Sequence, residues 1–377
     1  MGWTLWALIF GLSLFTFSIF PPSIHYLRST LSGKKITKQD ADVYQPKVTI
    51  FLPTRNESSN IERKIDEILS MDYPQSKINV LVIDSCSSDD TVQLANNYLS
   101  LSNSVCGWEV ICLEKAGKSI AVNRALDKIE TEFFVMMDSD AICKPDSLKL
   151  LLSWFSDRKI GAVCGQHLIE KGKSGFHYRS SFNTIRIGES YLDSTPIFEG
   201  SVCAFRKSAL LGKKINERIN ADDSQLAMLV RRNGFKSMMD SRILFREKNT
   251  NDSRKRRVRR AQGLVRALFS NRDLCSGHGI FSRIMLQSIY FHTVFPWAIL
   301  SSILITSLPL LFNPDFVLSL SYVTITAFLF VSSIIASRFG RGLVIGSTIL
   351  IEAQIRLLFG ESLESWIPER DHGNLSQ

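Results

Sequence analysis

Phe133-Phe134-Val135-Met136-Met137-Asp138-Ser139-Asp140 sets five apolar residues directly before two carboxylates one residue apart. An unbroken apolar run of this length reads as a strand buried on both faces, the pattern of a parallel sheet. Two acids at the end of such a strand can face one hard, oxygen-seeking cation, Mg2+ or Mn2+, that bridges phosphate oxygens. Aspartates are also common turn formers, so the pair taken alone fits a solvated turn as well.

Upstream, the same alternation repeats. Residues 48–52 form an apolar run ending in Pro53, and residues 59–70 have helical spacing with Ile61, Ile65, Ile68 and Leu69 on one face. A second strand is expected at 80–83 and a second helix at 89–99. A third strand follows at 110–113, then a third helix at 119–129, before the strand at 133–137. This βαβαβαβ order predicts an α/β, Rossmann-like domain with a mostly parallel sheet and helices on both faces. In such sheets ligands bind outside the carboxyl ends of the strands.

Further motifs occupy or follow those ends. Asp84-Ser85-Cys86-Ser87-Ser88-Asp89-Asp90-Thr91 follows the second strand. Ser88 or Asp89 serves as a helix cap, whereas Asp84 precedes the cap and is open to a binding role. Pro53-Thr54-Arg55-Asn56-Glu57 ends the first strand in the same manner. Gly117-Lys118-Ser119 opens the third helix without the glycine spacing of a phosphate loop, so Lys118 is either a phosphate contact or an ordinary exposed lysine. Asp222-Asp223 starts a helix that ends near Gly234. These two acids either favour the helix dipole or supply a general base for an acceptor hydroxyl.

The ends of the chain differ in character from this middle. The 377 residues are 45% hydrophobic and 21% charged, with a net charge of +9, but the apolar residues gather at both ends. Residues 3–20 are apolar with no basic segment before them and no small-residue cleavage site after them, which reads as a retained anchor with its N-terminus outside. Residues 289–312 and 316–336 are each long enough to span a hydrocarbon core of about 30 Å. Residues 343–359 carry Glu352, Gln354 and Arg356 and read as an interfacial amphipathic helix rather than a third later span. The basic excess lies near these segments, at Arg28, Lys34, Lys35 and Lys38 and in the cluster Arg254, Lys255, Arg256, Arg257, Arg259, Arg260. That placement points to a membrane as partner, not nucleic acid, with the middle of the chain and the tail on the cytoplasmic side. The seven cysteines include no CxxC pair and suggest neither a zinc site nor a disulfide framework. The expected organisation is an anchor at 1–28, a linker at 29–46 and a catalytic domain at 47–270. A basic connection at 271–286, two spans at 287–341 and an interfacial or spanning helix with its tail at 342–377 complete it.

Taken in order, the motifs at Pro53–Glu57, Asp84–Thr91, Gly117-Lys118 with Asn123 and Ala125, Asp138–Asp140 and Asp222-Asp223 resemble membrane-bound family 2 glycosyltransferases. These include cellulose and hyaluronan synthases and polyprenyl-phosphate sugar transferases. The resemblance covers about residues 47–265 and implies the GT-A fold. It further implies a nucleotide-sugar donor (UDP- or GDP-sugar), a divalent cation, and single displacement with inversion onto an acceptor, here a lipid or lipid-linked saccharide. By position, Asp84 matches the acid near the nucleobase, with Glu57 and Pro53 beside it, and Asp138 and Asp140 match the cation pair. Lys118 and Arg259 fall with the donor-binding set, and Asp223 matches the catalytic base. The segment Phe198–Arg206 matches the stretch near the acceptor. Where polymerising members carry Q-x-x-R-W, this chain has Arg256 for the Gln and Arg260 for the Trp, retaining only Arg259. The lost tryptophan would have stacked on an acceptor sugar, so addition of one or a few sugars is expected over processive synthesis. The remaining alternative is a non-catalytic membrane scaffold, which the retained acids disfavour.

Overall fold

A computed structural model describes residues 2–33, 44–102, 105–168, 176–248, 253–312 and 338–361. The apolar run at 316–336, most of the linker and the tail from 362 lie outside the described residues. In chain order the elements begin with α1 (Gly2–Ser32), β1 (Val48–Thr54), α2 (Ile61–Leu69), β2 (Ile78–Asp84), α3 (Thr91–Leu101) and β3 (Gly107–Cys112). Next come α4 (Lys118–Lys128), β4 (Phe133–Met137), β5 (Ala141–Cys143), α5 (Ser147–Ser153), β6 (Ile160–His167) and α6 (Phe176–Leu192). The chain continues with β7 (Val202–Arg206), α7 (Asp222–Arg232), β8 (Lys236–Glu247), α8 (Arg254–Ser270), α9 (Ile280–Phe312) and α10 (Arg338–Leu358).

These elements divide into two compact units that interleave along the chain. One holds all eight strands with α2–α5 and α7, and the other holds α1, α6, α8, α9 and α10.

In the sheet unit the strand order is β3-β2-β1-β4-β7-β6-β8-β5. The first four strands in that order pair in parallel, with β1, β2 and β4 as the buried apolar runs such pairing favours and β3 partly exposed at the edge. β7 enters antiparallel to β4 and to β6, and β5 antiparallel to β8. Pro53 lies inside β1, opposite Ile83, but β4 pairs with β1 only as far as Phe51. A residue without an N–H is tolerated there because the ladder on that side has already ended. Every residue of β1 and β4 is buried. Across the antiparallel junction Phe134 stacks on Phe205 with ring centroids 5.3 Å apart, tying the parallel half to the mixed half.

In the helical unit two helices are long and apolar enough to cross a membrane, over Leu5–Ser32 and Ile280–Leu308. α1 continues through Pro21 and Pro22, past the apolar run expected to form the anchor. Phe182, Val265, Phe291, Phe295 and Leu350 form a core drawn from α6, α8, α9 and α10. Within it, α6 meets α1 through His25 Nε2 and Glu189 Oε1, 2.7 Å apart, and through Gly188. A Cβ built on Gly188 would lie 2.2 Å from the Ser29 carbonyl oxygen, a backbone atom that cannot turn aside.

Gly188→Ala is therefore expected to force α6 away from α1, at about the 1–3 kcal/mol typical of overpacking. Thermal unfolding of the full chain in detergent should show a lowered midpoint. An unchanged midpoint would mean that the two helices do not approach this closely.

Candidate active site

The carboxyl ends of β1, β2 and β4 carry the acidic motifs, and each end is organised by hydrogen bonds the apolar runs alone do not reveal. At β2, Asp84 is buried. Its Oδ2 accepts the Ser87 amide at 2.8 Å, while its Oδ1 accepts from the Ser87 hydroxyl and lies 3.4 Å from Thr54 Oγ1. The Asn56 side chain accepts the Ser88 amide at 2.8 Å, and the Asn56 amide donates to Ser87 Oγ at 2.7 Å. Asn56 and Cys86 adopt φ of 51° and 58°, left-handed conformations that non-glycine residues hold only when their surroundings impose them. Glu57 is also buried; its carbonyl accepts the Ile61 amide at the start of α2, and its side chain accepts from Asn60 at 2.9 Å. Asp84, Glu57 and Pro53 thus share one corner in which the carboxylates also shape the turns.

At β4, Asp138 and Asp140 are both half-buried. The Asp138 amide donates to Ser201 O at 3.0 Å, because β7 runs antiparallel to β4 and delivers Ser201 there. The Asp140 carbonyl accepts the Lys248 amide at 2.9 Å. The Lys118 ammonium at the start of α4 donates to Asp138 Oδ1 at 2.7 Å and lies 3.7 Å from Asp222 Oδ2. Lys118 therefore bridges two motifs far apart in the sequence. Burial alone would lower its pKa, but Asp138, Asp222 and Asp223 outweigh that and hold it above the ordinary lysine range.

α7 is held against α4 by the loop before it. Asn123 donates to Ile215 O at 3.0 Å and accepts the Ile215 amide at 3.0 Å, and Ser119 Oγ donates to Ile219 O at 3.0 Å. Gln225 reaches back to the same loop at Asn216 and Ile219. The two acids at the start of α7 then meet different surroundings. Asp222 is buried with Oδ2 turned toward Lys118 but without a hydrogen-bond donor. The pKa of Asp223 is pushed up to about 7, first by burial and then by the neighbouring Asp222 charge, against the opposing pull of Lys118. Its Oδ1 accepts the Ser224 amide at 2.7 Å. Gly200 sits over its other oxygen, and a Cβ at that glycine would come within 2.9 Å of Asp223 Oδ2. Burial pushes the Cys203 thiol well above its ordinary range and Cys143 up to about 12.

The sheet unit thus gathers Asp138, Asp140, Lys118 and Asp223 at the strand ends, with Asp84, Glu57 and Pro53 at the adjoining turns. Arg259 lies on α8 in the other unit. Sequence reasoning did not find Asp222 as a partner of Lys118, nor Ser201 as the neighbour of Asp138. No spacing in the chain signals either contact, since both depend on long-range strand and helix placement.

Residues 49–212 match the family described as Glycosyl transferase family 2, and residues 133–336, more than half of the chain, match Glycosyl transferase family group 2. The chain belongs to glycosyltransferase family 2. Hyaluronan synthase of Streptococcus pyogenes is 23% identical over 214 residues, covering 54% of this chain and 49% of the relative. Poly-beta-1,6-N-acetyl-D-glucosamine synthase of Staphylococcus epidermidis is 25% identical over 171 residues, covering 43% of this chain and 40% of the relative. The chain spans about half or less of the length of these curated relatives. Over nearly its whole length it resembles the structure of the mannosyltransferase PcManGT from Pyrobaculum calidifontis in complex with GDP-Man and Mn2+. There the TM-score is 0.81 at 25% identity, covering 94% of this chain and 99% of that one. The family fold is GT-A, in agreement with the α/β architecture of the sheet unit.

If Gly200 is the clearance above the base, Gly200→Ala should displace the Asp223 carboxylate and lower turnover by about 10²-fold, the cost of misplacing a reacting group by around 1 Å. Steady-state kinetics alongside thermal unfolding will check it. Normal turnover in a folded variant would mean that the glycine is not needed there.

Proposed function

We propose that this glycosyltransferase moves a sugar, with inversion, from a nucleoside-diphosphate sugar to a hydroxyl of a lipid or lipid-linked saccharide at the cytoplasmic face of a membrane. The observation that carries the reading is Asp223, a half-buried carboxylate with its pKa raised to about 7, beside an ammonium and a second pair of acids. A carboxylate so tuned takes a proton near neutral pH and is a competent general base.

In this reading the anomeric carbon gains a bond to the acceptor oxygen as its bond to the diphosphate breaks. The acceptor proton passes to Asp223, and the bonding pair leaves with the diphosphate. Asp138 and Asp140 suit a divalent cation: two carboxylates at one strand end are the donor set Mg2+ or Mn2+ accepts when substrate phosphates complete the shell. Among the described residues no three acidic, histidine or cysteine side chains form a closed cage, which fits a cation shared with substrate better than a structural one. Such a cation, when bound, supplies positive charge against the departing diphosphate. Lys118, already between Asp138 and Asp222, is placed to add a second positive charge. Asp84, with the turn around Pro53 and Glu57, is assigned to the nucleobase side of the donor, and Arg259 to the donor as well. GDP-mannose is the first donor to test, because the PcManGT structure holds it; UDP-sugars form the second arm. The lipid acceptor rests on the two apolar helices and on the departures at Arg256 and Arg260. The processive alternative is supported by the names of the curated relatives, and a ladder of labelled products would favour it.

Three measurements test this proposal. Turnover should rise with pH through about 7, because the base works only when deprotonated, and Asp223→Asn should remove that rise and cost about 10²–10⁴-fold. A flat profile between pH 5 and 8 in the wild type would overturn the base assignment. Chelation of divalent metal should abolish transfer, with recovery on adding Mn2+; full activity in excess chelator would remove the cation. For the membrane face, Cys106 and Cys112 are exposed, so an impermeant thiol reagent should label them only after cells are permeabilised. Labelling in intact cells would place the sheet unit outside.

A further inference from the structure

The sheet unit contains a second charged cluster beside the Asp138–Asp140 loop, which the chemistry above does not use. It lies on α2. Arg63 Nη2 donates to the Ser139 carbonyl at 2.6 Å, and its Nη1 donates to Glu67 Oε2 at 2.9 Å. Glu67 Oε1 accepts the Cys143 amide at 2.9 Å and the Lys64 ammonium at 3.0 Å. Arg63 and Glu67 are four residues apart on one face of α2, so a single helical turn reaches both ends of the segment from Ser139 to Cys143. Asp140 lies between those two anchor points.

The energetics argue that this arrangement is more than packing. Lys64 is fully buried, and its partner Glu67 is 14% exposed. Burying an ammonium carries a desolvation cost that its partner only partly offsets, so such pairs add little net stability compared with apolar residues of the same size. What a buried, multiply bonded carboxylate does supply is a fixed geometry for the groups it touches. Glu67 fixes the first residues after Asp140, and Arg63 fixes the carbonyl before it. On the sheet side β8 holds the same stretch, through pairing of Ala141 with Glu247 and the Lys248 bond to Asp140 O. The D-S-D loop is therefore clamped between a strand and a helix.

We propose that Arg63 and Glu67 are positioning residues for the divalent-cation site, resting on the cation assignment proposed above. They act through the backbone at Ser139 and Cys143 to hold Asp140 at the place where it meets the cation. Groups that orient metal ligands in this way typically account for about 10–100-fold in metal affinity or activity.

The test is Mn2+ binding to the full-length protein in detergent, followed by the electron paramagnetic resonance signal of free Mn2+, with GDP and separately UDP present. Wild type, Arg63→Met and Arg63→Lys are compared, with thermal midpoints recorded without metal. The expected result is about 10–100-fold weaker Mn2+ binding in Arg63→Met, with turnover recovering at saturating Mn2+. Arg63→Lys should fall between, since one ammonium can reach Ser139 or Glu67 but lacks the fork to hold both. Unchanged Mn2+ affinity with a lowered thermal midpoint in Arg63→Met would make the cluster purely structural and overturn the proposal. Should the methionine variant fail to fold, wild-type Mn2+ affinity in Arg63→Lys would do the same. Failure of the wild type to take up Mn2+ with either nucleotide would overturn the cation assignment itself, and this proposal with it.

Discussion

Lys118 lies 2.7 Å from one acid of the β4 loop and 3.7 Å from an acid of α7, and the geometry of the site depends on that bridge. Asp138, Asp222 and Asp223 all act on this one ammonium, and like charges so close repel by on the order of a few kcal/mol per pair at an effective dielectric near 20. Lys118 on α4 offsets that repulsion between the acids of the β4 loop and those of α7. The surrounding hydrogen bonds serve the same convergence. Asn123 and Ser119 fasten the loop before α7 to α4, and β7 pairs with β4 so that Ser201 meets Asp138. The ammonium thus sets where the acids stand relative to one another, and the sheet sets where the ammonium stands.

How much of this was legible in the chain follows from burial. β1, β2 and β4 appear as continuous apolar runs because parallel strands are covered on both faces, and their limits fall within a few residues of those expected. The mixed half was not legible. β8 runs Lys236-Ser237-Met238-Met239-Asp240-Ser241-Arg242-Ile243-Leu244-Phe245-Arg246-Glu247, a strand whose buried Asp240 answers Trp154 and Arg242 rather than an apolar neighbour. No period-2 pattern survives such pairing. α6 escaped for a related reason: it buries Arg186, Glu189, Ser190 and Asn183, so it shows no apolar stripe to a reader of sequence. The acids of the site were legible as residue types at strand ends, but the contacts of Arg63, Lys118 and Ser201 were not, because each crosses between elements distant in sequence.

The connectivity around α6 adds a constraint of its own. The chain leaves the sheet after β6, forms α6 among the helices of the other unit, and returns as β7 within ten residues of Leu192. β7 and the residues before it carry Gly200 and Ser201 to the candidate base and the D-S-D loop. β7 is thus joined by a short segment to a helix that packs against the apolar α1. The His25–Glu189 contact and the close approach at Gly188 fix that helix against α1 within the helical unit.

Asp222 and Asp223 show how the same residue type at adjacent positions meets separate surroundings. Both begin α7 and both gain from the helix dipole, so propensity and dipole cannot distinguish them. The difference lies in what each carboxylate faces. Asp222 turns toward the Lys118 ammonium and serves as a fixed counter-charge. Asp223 turns toward the space under Gly200, where burial and the neighbouring Asp222 charge outweigh the more distant ammonium and raise its pKa to about 7. The two carboxylates therefore differ in surroundings although they are adjacent in sequence. A helix of this sort needs both acids: without Asp222 the ammonium loses one of its anchors, and Asp223 loses part of the repulsion that keeps its pKa near neutrality.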